Sequence, residues 1–420
     1  AYALGSGACA VNTGAIAIGT NSIANGENST ALGTNAVASG TESMAFGFNA
    51  LATQDRSFVI GACAQACQAG AGAIAANAKA NGTDSLAIGV NSVANGTSSI
   101  AIGVNSSAVL SNALAVGTNS ISSGENATAV AYFANASGTN AMALGVRASA
   151  SNTNSTAISV GAVANGVNST SIGVSAIANN LNAMALGVGA LASGEEATAL
   201  SANSTATGTR SVSIGVDSQA TNINSQAFGV AAKATGVNVV AIAANSSASG
   251  ANSIAIGIDA LSTGVNSVAI AANAKSTAGN ALSFGVDAQA TALNTVAIGT
   301  QAISNQTGAL SFGANATATA NYTMAFGVGS NASANNAMSI GHDAQAISAN
   351  SIAVGLDAQA SGTMSMALGL QSRSLATETI AIGAYSNASQ TNATAFGTNA
   401  NALAVNAMAL GTNSLANTKD

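Results

Sequence analysis

The stretch Ser99-Ile100-Ala101-Ile102-Gly103-Val104 alternates large apolar residues with small ones, with a period of two. This alternation is typical of a β-strand, because successive side chains of a strand point to opposite faces. The pattern returns every 14 residues, so the 420 residues form 30 repeats without insertion or deletion. When the repeat is numbered from Ala1, position 4 is Ile, Leu, Phe or Val in all 30 repeats, and position 5 is Gly in 24 of them. Such strict periodicity indicates a repeat architecture.

A helical interpretation of the 14-residue period, as two heptads, is disfavoured. A heptad seam needs two apolar residues in every seven, whereas position 11 is mostly Ser, Thr or Asn. A glycine in nearly every repeat would also weaken a helix by about 1 kcal/mol each. Asn, Gly and Asp recur at positions 7, 12 and 14, where they favour turns and tolerate left-handed backbone. Each repeat therefore predicts strand, turn, strand, turn.

The predicted fold is all-β: a parallel β-solenoid of 30 coils with two short strands per coil, uninterrupted over residues 1–420. Stacking at the usual strand spacing of about 4.8 Å predicts a rod about 140 Å long. No coil could bury an apolar face by itself, so the stack supplies the stability.

The large apolar side chains are predicted to form the core of the solenoid. Position 4, with position 2 and often position 6, supplies them from the first strand, and the Ala and Ser of positions 8 and 10 oppose them from the second strand. The predicted core residues are Leu4, Ile18, Leu32, Phe46, Ile60, Ile102, Ile256, Ile298, Phe326 and Leu410.

Positions 3 and 5, mostly Ala and Gly, are predicted to point away from that core. A smooth strip of small residues would allow close approach of an identical rod; alternatively, crowding between adjacent coils demands small residues. The lateral interface is the preferred interpretation. The predicted close-packing glycines are Gly5, Gly19, Gly33, Gly103, Gly257, Gly299 and Gly411.

Charge is scarce and confined. The chain has 8 Lys and Arg against 14 Asp and Glu, for a net charge of −6, and all of them lie at positions 7, 9, 13 or 14. No two basic residues are adjacent, which argues against nucleic-acid binding. No stretch of about 20 residues is free of polar side chains, so no membrane span is predicted. We expect no enzyme, no cofactor and no nucleic-acid partner.

Individual reactive residues support no catalytic or metal site. His342 is the single histidine and is assigned a structural role. Asp343 and Asp357 stand in adjacent repeats, where weak Ca²⁺ binding is less favoured than substitution for a turn Asn. The chain has only three cysteines, Cys9, Cys63 and Cys67, which are expected to be free thiols or to form interchain bonds, with a slight preference for free thiols.

Two irregularities of the repeat are candidates for recognition. Position 13, polar in most early repeats, becomes a broken apolar ladder in the middle of the chain. Aromatic residues also occur at or beside turn positions where small or polar residues prevail, although neutral drift is the preferred explanation for each. The candidate contact residues are Val167, Leu181, Ile223, Val237, Val265, Leu293, Tyr132, Phe133, Tyr322 and Tyr385.

The consensus resembles a known family. Asn252–Gly257 reads Asn-Ser-Ile-Ala-Ile-Gly, and Asn266–Ala271 is the near-match Asn-Ser-Val-Ala-Ile-Ala. These repeats are similar to the head repeats of YadA-like trimeric autotransporter adhesins, over essentially the whole chain. The resemblance implies a left-handed β-roll, three chains packed side by side, display outside a bacterial cell, and adhesion to host matrix, surfaces or other cells. Handedness and chain number come from the resemblance alone.

The sequence shows no neck motif, heptad stalk or membrane barrel of that family. We expect either a segment of a longer adhesin or a subunit of an extracellular filament or sheath that polymerises end to end. Ice binding is a third hypothesis and ranks last, because its Thr-x-Thr motifs, such as Thr205/Thr207 and Thr317/Thr319, are isolated. The ligand is not identified by the sequence.

Overall fold

The computed structural model describes residues 1–418, and within this range the chain is a parallel β-solenoid without a helix. Two compact units divide it, Ala1–Arg210 and Ser211–Asp420. Each unit consists of coils of 14 residues that follow the sequence repeat. The predicted all-β solenoid with two short strands per coil is confirmed, whereas the prediction of one uninterrupted domain stays a prediction.

The first unit contains a long and a short strand in each coil. The long strands occupy positions 2–4, from Tyr2–Leu4 and Ile16–Ile18 to Thr198–Leu200, and recur every 14 residues. The short strands occupy positions 9 and 10, from Cys9–Ala10 to Thr205–Ala206. Each strand pairs in parallel with the equivalent strand of the next coil, in a register that aligns identical repeat positions.

The second unit repeats this arrangement. Its long strands run from Val212–Ile214 to Met408–Leu410, and its short strands run from Gln219–Ala220 to Leu415–Ala416, again every 14 residues. The pairing is parallel and in the same register throughout, as in Val212 with Gln226.

Two tight turns close each coil. In the second coil, the Ser22 N–H donates to the Gly19 carbonyl at 3.2 Å; the turn before it is closed in the same way by the Ala15 N–H and the Asn12 carbonyl at 3.1 Å. The third residue of each turn, at position 7 or 14, has a left-handed backbone, as in Asn21 with φ 55° and Asn28 with φ 56°. Asn and Gly prevail there because they adopt this conformation at little cost.

The interior of the coils is made of small side chains, and the predicted core assignment is wrong. From the second coil to the twenty-ninth, every residue at positions 1, 3, 8 and 10 is buried, and nearly all of these are Ala or Ser. The residues assigned to the core all lie at position 4, where they are exposed or only partly buried: Leu4, Ile18, Leu32, Phe46, Ile60, Ile102, Ile256, Ile298, Phe326 and Leu410.

The reason is the size of the coil. Fourteen residues with two tight turns enclose space for little more than methyl and hydroxymethyl groups. Among the described residues the largest fully buried side chains are Val59 and Val239. In the long strand the alternation holds, but its inward and outward sides are the reverse of the prediction; the predicted inward placement of positions 8 and 10 is confirmed. A signal was present: positions 8 and 10 never exceed Ser in size, whereas position 4 varies from Val to Phe, a range that a close-packed interior does not accept.

Hydroxyl groups inside the coils satisfy turn carbonyls. The Ser22 Oγ donates to the Gly19 carbonyl at 2.9 Å, and the Ser29 Oγ donates to the Gly26 carbonyl at 2.7 Å. Equivalent bonds recur wherever Ser occupies positions 1 or 8, with several exceptions whose buried Oγ atoms find no partner, such as Ser253. Ser at these positions therefore substitutes for Ala when its hydroxyl reaches a carbonyl.

The position-5 glycines pack against the next coil. A Cβ atom on Gly19 would come within 2.6 Å of the backbone of Gly33, and its φ of +130° is a conformation that L-residues rarely adopt. Six of the seven glycines named above share this crowding, and Gly411 is the exception. Position 3, by contrast, lies inside the coil. The proposed lateral strip of Ala and Gly is therefore not a surface, and crowding between coils accounts for the glycines.

Candidate interaction surfaces

The outer face of the long strands, formed by the side chains of positions 2 and 4, is an exposed apolar surface. We call it the apolar face. Leu32 is 44% exposed, Ile60 48% and Phe326 53%. Position 4 carries Ile, Leu, Phe or Val in every coil, so the in-register pairing of the long strands arranges these side chains in a ladder along each unit.

Aromatic side chains contact one another on this face. The rings of Phe312 and Phe326, at position 4 of adjacent coils, have centroids 5.6 Å apart and are tilted by 36°. Ile298 and Phe312 are register partners in the same ladder. Contacts of this kind are favourable, but in the isolated chain one side of each ring still faces water.

The absence of charge from the apolar face is informative. No Lys, Arg, Asp or Glu occurs at positions 2, 4 or 6 of any repeat. A surface in permanent contact with water would accept charged side chains freely, as positions 7, 9, 13 and 14 do. Charge is excluded where desolvation would be costly. The apolar face therefore has the composition of a covered surface, although it is exposed in the single chain.

The turns carry ladders of asparagine at position 14. In the first unit, six stacked residues from Asn112 to Asn182 are joined by five bonds from Nδ2 to the next Oδ1, at 2.9–3.1 Å. The second unit has an equal ladder from Asn224 to Asn294, at 2.8–3.3 Å. These bonds use amide groups that would otherwise be free for a ligand, so the ladders are interpreted as structural.

The candidate contact residues lie on the surface. At position 13 the backbone carbonyl accepts a hydrogen bond from the next coil, as the Val167 carbonyl does from the Asn182 N–H at 2.9 Å. The side chain of this position points away from the coil. All are at least 38% exposed except the partly buried Val237. Their role in contact stays a prediction: Val167, Leu181, Ile223, Val237, Val265, Leu293, Tyr132, Phe133, Tyr322 and Tyr385.

Three of the aromatic residues stand in unusual backbone. Phe133, Tyr322 and Tyr385 have φ values of 56°, 57° and 60°, in the left-handed region that bulky residues avoid. The ring of Phe133 packs edge-on against Tyr132, with centroids 4.5 Å apart. Tyr322 at 67% exposure and Tyr385 at 50% project into solvent.

A polar groove, which sequence reasoning missed, lies in the second unit. Side chains of positions 7 and 9 line it over consecutive coils, including Asp343, Asp357, Gln359, Arg373 and Tyr385, and its volume is about 590 Å³. Every one of these residues sits one place before or after the buried position 8. The spacing of positions 7 and 9 in consecutive repeats was the signal that could have found the groove.

The remaining candidate residues lie apart from any cluster. His342 is exposed, and its Nδ1 lies 2.9 Å from Asp343 Oδ2. Cys9 is exposed, Cys63 and Cys67 are partly buried, and none of the three forms a disulfide within the chain. Within residues 1–418, no three His, Cys, Asp or Glu side chains come together as metal ligands. No helix of this described part could cross a membrane.

Comparison with known families identifies the repeat. The profile described as "YadA head domain repeat (2 copies)" matches most of the chain, at residues 10–36, 38–62, 80–106, 111–130, 136–158, 164–190, 178–200, 185–211, 206–225, 220–242, 248–270, 276–302, 304–330, 332–358, 360–386 and 388–414. The chain belongs to the YadA head repeat family. A search of curated proteins finds no match.

Membership in the YadA head family confirms the resemblance inferred from Asn252–Gly257 and gives a context to the surfaces described above. YadA-type heads are homotrimeric and belong to surface-exposed bacterial adhesins. The family and the solenoid are structural and adhesive in kind.

Proposed function

We propose that the chain is the adhesive head of a trimeric autotransporter adhesin, displayed at the outer surface of a bacterium. Three identical chains pack side by side through the apolar face. The polar turns and the outer face of the short strands then form the surface that attaches to extracellular matrix, other surfaces or cells.

The observation that carries this proposal is the apolar face itself. Ile, Leu, Phe or Val occupies position 4 of all 30 repeats, and formal charge is excluded from positions 2, 4 and 6, yet side chains such as Phe326 remain 53% exposed in the single chain. Covering the exposed half of such a side chain contributes roughly 1 kcal/mol. Repetition over many coils makes lateral association strongly favourable.

Attachment by such a head is multivalent. The repeats present similar Asn, Ser and Thr side chains on successive coils, and three chains present them together. Many weak contacts combine into strong attachment when the sites are linked, because each further contact forms at a high effective concentration. This mechanism requires no catalytic group. An end-to-end filament stays an alternative prediction.

The oligomeric state tests the proposal directly. The wild-type chain is expected to sediment as a trimer at micromolar concentration. Lysine at position 4 of three consecutive coils, in the triple variant Ile242→Lys, Ile256→Lys and Ile270→Lys, places nine charges in the trimer interface. Because each buried unpaired charge costs several kcal/mol, the trimer should dissociate at a much lower temperature or higher dilution.

A matched control builds an equal lysine ladder on the opposite face, with two added lysines and one native lysine in each chain. Ser247→Lys and Leu261→Lys, together with the native Lys275, build a three-lysine ladder at position 9 of the same coils. This control should remain trimeric. Binding to immobilised matrix proteins and to cells should fall by far more than threefold for the dissociated variant. A wild-type chain that stays folded and monomeric, or an equal effect of the two ladders, would refute the proposed association.

A further inference from the structure

The side chains that line the polar groove of the second unit are of the types found in ligand sites. The lateral association proposed above does not use them. The walls of the groove are the ladders of positions 7 and 9, on the short-strand side of the coils. The apolar face is the outer side of the long strands. The inner side of the long strands packs against the inner side of the short strands, so the groove and the apolar face lie on opposite sides of each coil. The groove therefore stays open when the apolar face is covered.

The groups in the groove combine carboxylates, amides and one guanidinium. Asp343 and Asp357 stand one coil apart, Gln359 lies beside them, and Arg373 follows in the next coil. Within residues 1–418, Asp343 pairs with His342 at 2.9 Å, and Arg373 has no carboxylate at ion-pair distance, so its guanidinium is available to a ligand. Acceptors and donors therefore stand together along the groove, and equivalent side chains repeat at the spacing of the coils, roughly 4.8 Å.

An unsatisfied atom belongs to a residue of the groove wall, one coil before the last lining residue, Asn401. The Oδ1 of Asn387 is buried and has no hydrogen-bond partner, although Asn387 lines the groove. Asparagine at other positions of the chain stacks into satisfied ladders, such as Asn392 with Asn406 at 3.0 Å. A buried acceptor without a partner is unfavourable, so the Asn387 amide gains a hydrogen bond if it turns toward a donor in the groove.

Tyr385, in the same coil as Asn387, supplies an aromatic surface to the groove. It occupies position 7, where its φ of 60° suits Asn or Gly and strains a bulky residue, and its side chain is half exposed at the groove. An exposed ring with an apolar face and a polar tip is the type of side chain that dominates binding surfaces.

We propose that this groove binds a neutral oligosaccharide. Sugar hydroxyls both donate and accept, so they match the Asp, Gln and Arg side chains of the groove and can donate to Asn387 Oδ1 once that amide turns toward the groove, while the apolar face of a pyranose ring stacks on Tyr385. Two carboxylates against one guanidinium give the groove a net charge of −1, which disfavours sulfated or sialylated chains. The inference names a ligand class for the adhesive surface and rests on the proposed function.

The test uses the full chain and an array of immobilised neutral, amino-bearing, sialylated and sulfated oligosaccharides, with an oligolysine peptide as a separate probe. The strongest neutral oligosaccharide is then titrated by calorimetry. Tyr385→Asn introduces the residue most common at position 7, so the fold is retained, and it is expected to weaken binding about tenfold or more. Asp357→Asn should weaken binding by a similar factor.

The control is Phe48→Thr, which removes an aromatic side chain of similar exposure, 53%, outside the groove and should leave the affinity unchanged. The inference is overturned if no neutral oligosaccharide binds, if only sulfated chains or oligolysine bind, or if Tyr385→Asn and Asp357→Asn keep the wild-type affinity. If the trimer attaches to matrix or cells but gives one of these results, the groove site is refuted and the proposed function is retained. A chain that neither associates nor attaches refutes the proposed function instead.

Discussion

The placement of small side chains inside the coils is tested by enlarging two adjacent residues, Ala297 and Ile298. Ala297 is completely buried at position 3, and its register neighbours are Ser283 and Ser311. The Oγ of Ser304 donates to the Oγ of Ser311 at 2.9 Å within the same interior. Ile298, one residue later, lies on the apolar face.

Ala297→Leu adds three carbon atoms to an interior that is already filled. Insertion of extra methylenes into a packed core costs about 1–3 kcal/mol, and we expect at least 3 kcal/mol here because the surrounding hydroxyl contacts must also be displaced. For a unit of this size, 3 kcal/mol corresponds to a fall of roughly 6–12 °C in the thermal midpoint.

Ile298→Phe is the matched enlargement on the outer face. Its register neighbours Phe284 and Phe312 show that the face accepts phenylalanine in both adjacent coils. We expect a change in stability below about 1 kcal/mol, because the apolar face already holds phenylalanine on both sides of this position. Circular dichroism at the β-sheet minimum, recorded during heating at equal concentration, compares the two variants. A larger fall for Ile298→Phe than for Ala297→Leu would show that the large residues form the core after all.

Three further predictions concern backbone and buried hydroxyls, all measured as shifts of the thermal midpoint. Gly313→Ala should destabilise by about 1–3 kcal/mol, since the φ of Gly313 is +135° and the new Cβ would lie 2.4 Å from a carbonyl oxygen of the next coil. The reverse change, Ala271→Gly, occurs at a φ of 111° and should stabilise by about 1 kcal/mol. Tyr322→Asn should stabilise by up to about 1 kcal/mol, because Asn tolerates a φ of 57°, and a loss of stability would contradict this. Ser253→Ala should be neutral or stabilising because its buried Oγ has no partner, whereas Ser267→Ala, at the same position of the next coil, removes a 2.7 Å bond to a carbonyl and should cost about 1 kcal/mol. Equal effects of the two serine changes would contradict the hydrogen-bond assignment.

The sequence by itself determined the periodic part of this protein. The 14-residue period and the alternation in Ser99–Val104 predicted the strands, and Asn at positions 7 and 14 predicted the turns, because these features follow from local backbone preferences that repeat in every coil. The family followed from the consensus at Asn252–Gly257 for the same reason, since a repeated local pattern is itself a signature.

Only the tertiary structure decided which side of each strand is inside. Alternation fixes that Ile298 and Ala297 face opposite ways, but either face could be buried until the width of the closed coil is known. That width depends on where two turns return the chain, and it admits Ala and Ser while leaving Ile on the outside. The polar groove needed the structure as well, because Asp357 and Arg373 line one groove only through the stacking of coils, which no local preference encodes.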